Sequence, residues 1–264
     1  MTRANVAPRD AVSAAIQAAG AQGRPALVGF LTAGFPTRRD FKKNLAAVAD
    51  VCDVVEIGVP FSDPMADGTT IQRASFAALN DGVTLPWIFD ELNSLESRHT
   101  APILLMSYLN PLLSYGYQRL AAACVAAGVC GFIIPDLPLD ESADLRAALD
   151  PHGIALVQMV TPVTPAARLA RLCAASQGFV YAVTMTGTTG KSIVIPAQML
   201  AYLERVRALA TVPVCAGFGI RSREQVTRLR GAVDGVVIGS ALVEVLERGE
   251  SPQAWLAALR HQAR

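Results

Sequence analysis

The stretch that organises the chain reads Val54-Val55-Glu56-Ile57-Gly58-Val59-Pro60-Phe61-Ser62-Asp63-Pro64-Met65-Ala66-Asp67-Gly68. It begins as an apolar run of β type with one carboxylate inside it, and it ends in a loop of Pro, Ser, Asp and Gly. Alternate residues of a strand face opposite sides, so Glu56 shares its face with Val54 and Gly58. We therefore predict a buried strand that presents Glu56 and leads into a functional loop.

A glutamate inside such a strand is desolvated, and desolvation raises the pKa of a carboxyl group. A raised pKa lets one carboxyl act as acid and as base near neutral pH. The alternative is a Glu paired with an Arg at a strand end, because ion-pair networks also perturb buried carboxyl groups. The acidic loop that follows, which contains Asp63 and Asp67, favours a site.

Short apolar runs alternate with helical patterns along the 264 residues, which is typical of a parallel sheet built from βαβ units. The predicted strands are Ala26–Thr32, Val54–Val59, Ile103–Ser107, Gly131–Ile134, Ala155–Val160, Phe179–Val183, Val214–Ala216 and Val233–Ile238. The predicted helices between and after them are Arg38–Ala49, Ile71–Leu79, Leu85–Arg98, Gln118–Ala127, Glu141–Leu149, Ala166–Ala175, Ala197–Leu209, Arg223–Leu229 and Ala241–Glu247.

Eight strand and helix pairs in about 250 residues predict a (β/α)8 TIM barrel. We expect one domain, residues 1–264, with an extra N-terminal helix around Ala11–Gly20 and a C-terminal helix at Pro252–Gln262. The alternative is an open doubly wound sheet. That fold would need a dinucleotide fingerprint after its first strand, and Gly29-Phe30-Leu31-Thr32-Ala33-Gly34 is not G-x-G-x-x-G.

Composition narrows the function classes. The formal net charge is +1 without a block of either sign, which argues against nucleic acid or an anionic membrane as the main partner. The N-terminal stretch does not resemble a signal peptide, and no apolar run approaches the ~18 residues of a membrane span. The five cysteines have no C-x-x-C spacing and indicate reduced thiols. We expect a cytoplasmic protein.

Glycines follow the last two predicted strands. Gly217-Phe218-Gly219 comes after the seventh, and Gly239-Ser240 follows the eighth and opens a helix. Glycine lets backbone N–H groups approach an anion, and these two loops are the usual phosphate site of a barrel. A third loop, Gly187-Thr188-Thr189-Gly190, follows the sixth strand and could close over the ligand. The pattern predicts a phosphate held mainly by N–H groups and hydroxyls.

The lysines, histidines and acidic residues limit which reactions the site could catalyse. The three lysines, Lys42, Lys43 and Lys191, lie outside the predicted strands, which disfavours a Schiff-base aldolase. The three histidines, His99, His152 and His261, are poorly placed for a metal centre, and we predict none. Acid and base chemistry by carboxyl groups on a phosphorylated substrate remains, with Glu56 and Asp67 as its candidates. Asp63 fits a turn better. Asp136, at a strand end, fits an orienting or partner-contact role.

These motifs together resemble the tryptophan synthase alpha subunit family. The most specific match is residues 56–64 with Ala66-Asp67-Gly68. Supporting matches, in family order over about nine-tenths of the chain, are Phe30 to Gly34, Leu105-Met106 with Asn110-Pro111, Asp136-Leu137-Pro138, Gly187 to Gly190, Gly217 to Ile220, and Gly239-Ser240. The resemblance implies a barrel that cleaves indole-3-glycerol phosphate to indole and glyceraldehyde 3-phosphate. It also implies a beta-subunit partner in an alpha2beta2 complex, which alone would carry pyridoxal phosphate.

The resemblance implies roles residue by residue. Glu56 corresponds to the general acid and base, and Asp67 to the carboxylate that binds the indole N–H. Phe30, Leu105 and Tyr181 correspond to the indole pocket, although core packing is the plain alternative for each. The phosphate-binding set corresponds to Gly190, Gly217, Phe218, Gly219, Gly239 and Ser240. Thr189 corresponds to the loop threonine that orders the catalytic carboxylate.

The chain departs from the family pattern in its loops. The usual Asp-Gly-Pro is Asp67-Gly68-Thr69, and the usual Gly-Val-Thr-Gly has Thr188 at its second position. The usual Ser before that loop is Thr184, and Phe35 stands where Asp or Tyr is common. These differences concern loop closure and the partner interface. They leave two alternatives open, namely a stand-alone lyase that releases free indole and a regulatory subunit without turnover.

Overall fold

A computed structural model of the protein describes residues 6–95, 101–184, 196–217 and 219–260. Its strands are β1 Ala26–Thr32, β2 Val54–Gly58, β3 Ile103–Met106, β4 Val129–Ile133, β5 Ala155–Val160, β6 Val180–Val183, β7 Val214–Gly217 and β8 Gly235–Ile238. Each strand pairs in parallel with the next, and β8 pairs with β1, so the sheet closes. The (β/α)8 prediction is confirmed.

Helices surround this barrel in the described part of the chain. They are α1 Pro8–Ala21, α2 Phe41–Ala49, α3 Thr69–Asn80, α4 Leu85–Asn93, α5 Leu109–Tyr115, α6 Tyr117–Ala127, α7 Ala143–Leu149, α8 Ala166–Ala175, α9 Ala197–Leu209, α10 Arg223–Leu229, α11 Ser240–Glu247 and α12 Pro252–Arg260. Short 3-10 turns occupy Arg38–Asp40, Leu139–Glu141 and Asp150–His152. The predicted bounds of α8, α9 and α10 are reproduced without change.

Several elements differ from the sequence prediction, among them α5, the end of α4 and the start of β8. Helix α5 was not predicted, because it is short and contains Pro111. Helix α4 ends at Asn93 and not at Arg98, where the N–H of Ser94 closes the last turn on the carbonyls of Asp90 and Leu92. Strand β8 begins at Gly235, because Val233 forms an isolated bridge with Arg230. Element ends depend on such local closures, which apolar periodicity does not encode.

The apolar residues form an inner and an outer layer. Inside the barrel, Val28 and Val54 pack with side chains of α1 such as Ile16, so α1 closes the end where the strands begin. Outside it, Leu31 and Ile57 pack under the surrounding helices. The opposite end, where the strands finish, is left to the loops, and barrel enzymes carry their chemistry there.

Asp53, just before β2, ties the ends of the chain to the closed end of the barrel. Its carboxylate binds Arg24 through two contacts of 2.7 Å and Arg260 through one of 3.0 Å. It also accepts the backbone N–H of Leu27 at 2.9 Å. Hydrogen bonds to charged groups are stronger than neutral ones, so this cluster stabilises the fold far from the loops.

No disulfide joins the five cysteines, all of which lie in the described ranges; four of them are buried and Cys130 is half-buried. Among the residues that the structure describes, none of the helices combines the length and the apolar character needed to cross a membrane.

Candidate active site

Glu56 points into the barrel from the middle of β2. It lies opposite Phe30 of β1 and Leu104 of β3 in the register, and both of these neighbours belong to the interior layers. The side chain is 1% exposed, and its Oε2 atom has no hydrogen-bond partner among the described residues. Burial, and secondly the charge of Asp67, raise the pKa of Glu56 to about 8. The carboxyl is therefore mostly protonated at neutral pH.

Asp67 lies in the loop after β2 and is held by Tyr108. The Tyr108 hydroxyl accepts the N–H of Ala66 at 2.8 Å and hydrogen-bonds the Asp67 carboxylate. Burial raises the pKa of Asp67 to about 6, and the Tyr108 hydrogen bond partly opposes that rise. The Asp67 carbonyl accepts Nε2 of Gln72 at 2.9 Å, which fixes the loop from its other side. Asp67 is mostly ionised at pH 7, where Glu56 is mostly neutral.

A chain of contacts supports Tyr108 in turn. Phe61 stacks on its ring at a centroid distance of 5.2 Å. The carboxylate of Asp136 accepts the N–H of Leu109 at 2.9 Å and so holds the start of α5. This is an orienting contact of the kind predicted for Asp136. Asp63 is exposed and accepts the hydroxyl of its neighbour Ser62 at 2.5 Å, which agrees with the turn interpretation.

Phe30 and Tyr181 face the same interior space as Glu56. The Phe30 ring lies over Gly58, where an added Cβ would come within 2.5 Å of the ring. The pKa of Tyr181 is raised well above its ordinary value by burial, with further contributions from the charges of Glu56 and Asp67. The two carboxyl groups and both aromatic side chains therefore line one region.

Leu105 contradicts its predicted place in the pocket. It pairs in register with Ile57 and packs with it in the outer layer under the helices. Met106, one residue later, faces the interior and packs against the cluster that contains Phe30. The run from Ile103 to Met106 is apolar on both faces, so the sequence offered no signal for which residues point inward.

Gly217, one of the predicted phosphate glycines, lies beside Tyr181. A Cβ added at Gly217 would lie 2.3 Å from the Tyr181 hydroxyl, so only glycine allows this approach. Thr184 donates its N–H at 3.0 Å and its hydroxyl at 2.8 Å to the Gly217 carbonyl. Gly219 has a φ of 84°, which a residue with a side chain rarely adopts.

Helix α11 begins at Ser240, directly after Gly239. Among the residues that the structure describes, a Cβ added at Gly239 would meet no atom within 4 Å, and no side chain caps this helix. The N–H of Leu242 donates to the Gly239 carbonyl at 2.9 Å, so the N–H groups ahead of it at the helix N-terminus are the candidates for phosphate binding. Thr189, Gly190 and Phe218 lie outside the described residues, so their predicted roles stay predictions.

The described residues offer few side chains that could hold a metal ion or bind a cofactor covalently. Within the four described ranges, no three His, Cys, Asp or Glu side chains are grouped so as to hold a metal ion. Lys42 and Lys43 lie on α2, where Lys42 pairs with Glu91 at 3.2 Å, and Lys191 falls outside the described residues. A cavity of about 280 Å³ opens beside Asp136 and Gln158, and neither Glu56 nor Asp67 lines it.

Comparison with known proteins identifies the family. Residues 16–264 match the family model described as tryptophan synthase alpha chain. A tryptophan synthase alpha chain from Solidesulfovibrio magneticus is 45% identical over 241 residues, which covers 91% of this chain and 94% of that relative. A chain in the aminoacrylate-bound tryptophan synthase structure from M. tuberculosis superposes with a TM-score of 0.85 at 34% identity, over 94% of this chain and 97% of the other.

A chain in the structure of the tryptophan synthase a2b2 complex from the hyperthermophile Pyrococcus furiosus superposes with a TM-score of 0.83. The identity is 33%, over 90% of this chain and 97% of that one. The fold, the order of the motifs and these similarities over nine-tenths of the chain agree with one another. The chain belongs to the tryptophan synthase alpha chain family.

Proposed function

We propose that this chain is a carbon–carbon lyase that cleaves indole-3-glycerol phosphate to indole and glyceraldehyde 3-phosphate. The observation that carries the proposal is the pair of carboxyl groups, Glu56 and Asp67, with opposite protonation states at neutral pH in one interior region. A retro-aldol cleavage through the indole ring needs a proton donor and a separate anion, and this pair supplies both.

The roles follow from the two protonation states. Neutral Glu56 donates its proton to the ring carbon that carries the glycerol chain. The Asp67 carboxylate accepts the indole N–H and stabilises the positive charge that develops on the ring. Glu56, now ionised, takes the proton of the adjacent chain hydroxyl. The carbon–carbon bond then breaks, its electron pair returns to the ring, and the proton balance of Glu56 is restored.

Aromatic and apolar side chains would hold the indole ring against the two carboxyl groups. Phe30 and Tyr181 keep the pocket role suggested by the family resemblance, and Met106 takes the place that Leu105 cannot fill. Phe30 pairs in register with Glu56, and the charges of Glu56 and Asp67 act on Tyr181, so an indole ring packed against these aromatic side chains would lie beside the carboxyl groups.

The phosphate would bind at the N–H groups around Gly217, Gly219, Gly239 and Ser240. Gly239 is the sharpest position for a test, because a side chain there would fill open space and displace the ligand. We expect Gly239→Leu to weaken inhibition by glyceraldehyde 3-phosphate at least tenfold. Gly20→Leu is the control, since an added Cβ at Gly20, on α1, also meets nothing within 4 Å. Equal inhibition constants for the two variants would exclude this phosphate site.

The central experiment replaces Glu56. We expect Glu56→Gln to lose at least a thousandfold in indole release while it still binds the phosphorylated product, because an amide cannot transfer the proton. Glu204→Gln, at an exposed carboxyl on α9, is the matched control and should keep full turnover. Undiminished indole release by Glu56→Gln would refute the assignment.

The partner would be a tryptophan synthase beta subunit in an alpha2beta2 complex, and that subunit would carry the pyridoxal phosphate. Large apolar side chains are exposed around the loop end of the barrel, with Met65 and Val163 each 80% exposed. Met65 lies in the same loop as Asp67, and we propose it as a contact for this partner. The beta subunit should accelerate indole release, whereas a fast rate without it would indicate the stand-alone lyase.

A substitution at Met65 tests whether the loop after β2 contacts the beta subunit. Met65→Asp should weaken activation by the beta subunit and leave the solitary rate unchanged within a factor of two. Leu209→Asp is the control, because Leu209 is 38% exposed at the end of α9, where the barrel strands begin. Equal activation of both variants would exclude the Met65 surface as the partner site.

A further inference from the structure

An ion-paired cluster joins three elements around the loop end of the barrel. Glu244 of α11 binds the guanidinium of Arg221 through two contacts of 2.6 and 2.7 Å. The same carboxylate accepts the hydroxyl of Thr70, in the first turn of α3, at 3.3 Å. We call this set of three residues the upper clamp.

A second pair joins the same two helices one turn further along. Arg73 of α3 binds Glu247 of α11 through contacts of 2.8 and 2.7 Å. We call this pair the lower clamp. It has the same two-contact geometry as the Arg221–Glu244 pair, and its side chains are likewise partly exposed. Its hydrogen bonds among the described residues run only from α3 to α11, so the two clamps differ chiefly in what they connect.

The upper clamp connects the two halves of the proposed site. Arg221 lies two residues after Gly219, and Gln225 fixes its backbone N–H at 2.7 Å. Thr70 lies three residues after Asp67, on the helix that begins directly after that loop. Glu244 lies about 6 Å along the helix axis from Ser240. One carboxylate thus holds both the segment after the phosphate glycines and the segment after Asp67.

We infer that Glu244 is a positioning residue that couples occupancy of the phosphate site to the placement of Asp67. The inference rests on the proposed function and goes beyond it. A ligand at the glycines orders the segment that carries Arg221, and through Glu244 and Thr70 that order extends to the start of α3. Thr70, which the clamp holds, directly follows Thr69, the position where the family usually has a proline.

The clamp has an electrostatic consequence as well. While it is closed, Glu244 neutralises Arg221, so the phosphate is held by N–H groups and hydroxyls rather than by a guanidinium. Removal of the Glu244 charge leaves the Arg221 guanidinium uncompensated beside the phosphate site, where it can pair with the anion. Such a variant should bind the phosphorylated substrate as tightly as wild type or more tightly, yet turn it over more slowly.

The test measures kcat and KM for cleavage of indole-3-glycerol phosphate by the full chain. For Glu244→Gln we expect kcat to fall about tenfold, within the usual range of coupling between sites, with KM unchanged or lowered. For Arg221→Met we expect the same fall in kcat without a lower KM, because no guanidinium is released. Glu247→Gln opens only the lower clamp and should keep both constants within a factor of two.

The outcomes separate this inference from the proposed function. No lyase activity in wild type would overturn both. An active wild type with unchanged kcat in Glu244→Gln and Arg221→Met would overturn the inference alone. Equal losses in Glu244→Gln and Glu247→Gln would also overturn it, because the clamps would then act only by packing α3 on α11. Thermal melts of the four proteins show whether any loss reflects unfolding.

Discussion

Replacement of Glu56 by glutamine should change how the stability of the protein depends on pH. Burial raises the pKa of Glu56 from 4.5 to about 8. Between these two values the folded protein holds a proton on Glu56 that the unfolded chain has released. Stability therefore falls as the pH rises through this window, and it is highest below the unfolded pKa. Glutamine does not titrate, so Glu56→Gln escapes this loss.

The magnitude follows from the two pKa values. The loss from Glu56 is about 1 kcal/mol at pH 5.5 and about 4 kcal/mol at pH 8. The difference in unfolding free energy between variant and wild type should therefore shift by about 3 kcal/mol in favour of the variant across this range. Any pH-independent change in the unfolding free energy that the amide causes by its different packing is the same at both pH values, so it cancels from this difference.

Urea unfolding of both proteins, followed by circular dichroism at pH 5.5, 6.5, 7.5 and 8, measures this shift. Glu204→Gln is the control, because its carboxyl is exposed and its replacement should leave the pH dependence of wild type intact. If the unfolding free energies of Glu56→Gln and wild type differ by the same amount at all four pH values, the reasoning is refuted. Glu56 would then be solvated in the folded protein, and its proposed role as an acid at pH 7 would lose its basis.

Three further predictions concern the same structure. The kcat/KM of the lyase should follow a bell with apparent pKa values of about 6 and 8 for the carboxyl pair, since Asp67 must be ionised and Glu56 protonated; a flat profile from pH 5.5 to 9 would contradict this. Tyr108→Phe removes the hydrogen bond that lowers the pKa of Asp67, so the acidic limb should move to higher pH, and an unmoved limb would mean that Tyr108 does not hold the carboxylate. Asp53→Asn should lower the unfolding free energy, measured by urea unfolding, by about 2–3 kcal/mol and leave kcat unchanged. An unchanged unfolding free energy would show that the contacts of Asp53 with the two arginines do not stabilise the fold.

Much of the fold and part of the site could be predicted from local patterns. The period of two along β2 groups Glu56 with Val54 and Gly58, because successive side chains of a strand point to opposite sides, and the structure shows that this face is the barrel interior. Glycines after β7 and β8 were predicted at the phosphate loops, and the structure brings Gly217 beside Tyr181. These features depend on short-range sterics, which the order of residues specifies directly.

Other features depended on contacts between distant parts of the chain. Leu105 and Met106 are both apolar in a strand covered on both sides, so only the register with β2 decided which one faces the pocket. Tyr108 lies 42 residues from Ala66 and reaches the Asp67 loop only because the barrel brings β2 and β3 together. No local pattern around Tyr108 predicts that its hydroxyl supports a carboxylate.

The sequence by itself determined the order of strands and helices, the placement of Glu56 within a buried strand and the glycine loops, because each follows from the preferences of neighbouring residues. Only the tertiary structure decided the protonation states of Glu56 and Asp67, the support from Tyr108 and the upper clamp, in which Thr70 and Glu244 are 174 residues apart. The physical reason is that desolvation and long-range hydrogen bonds exist only after the barrel has closed around them.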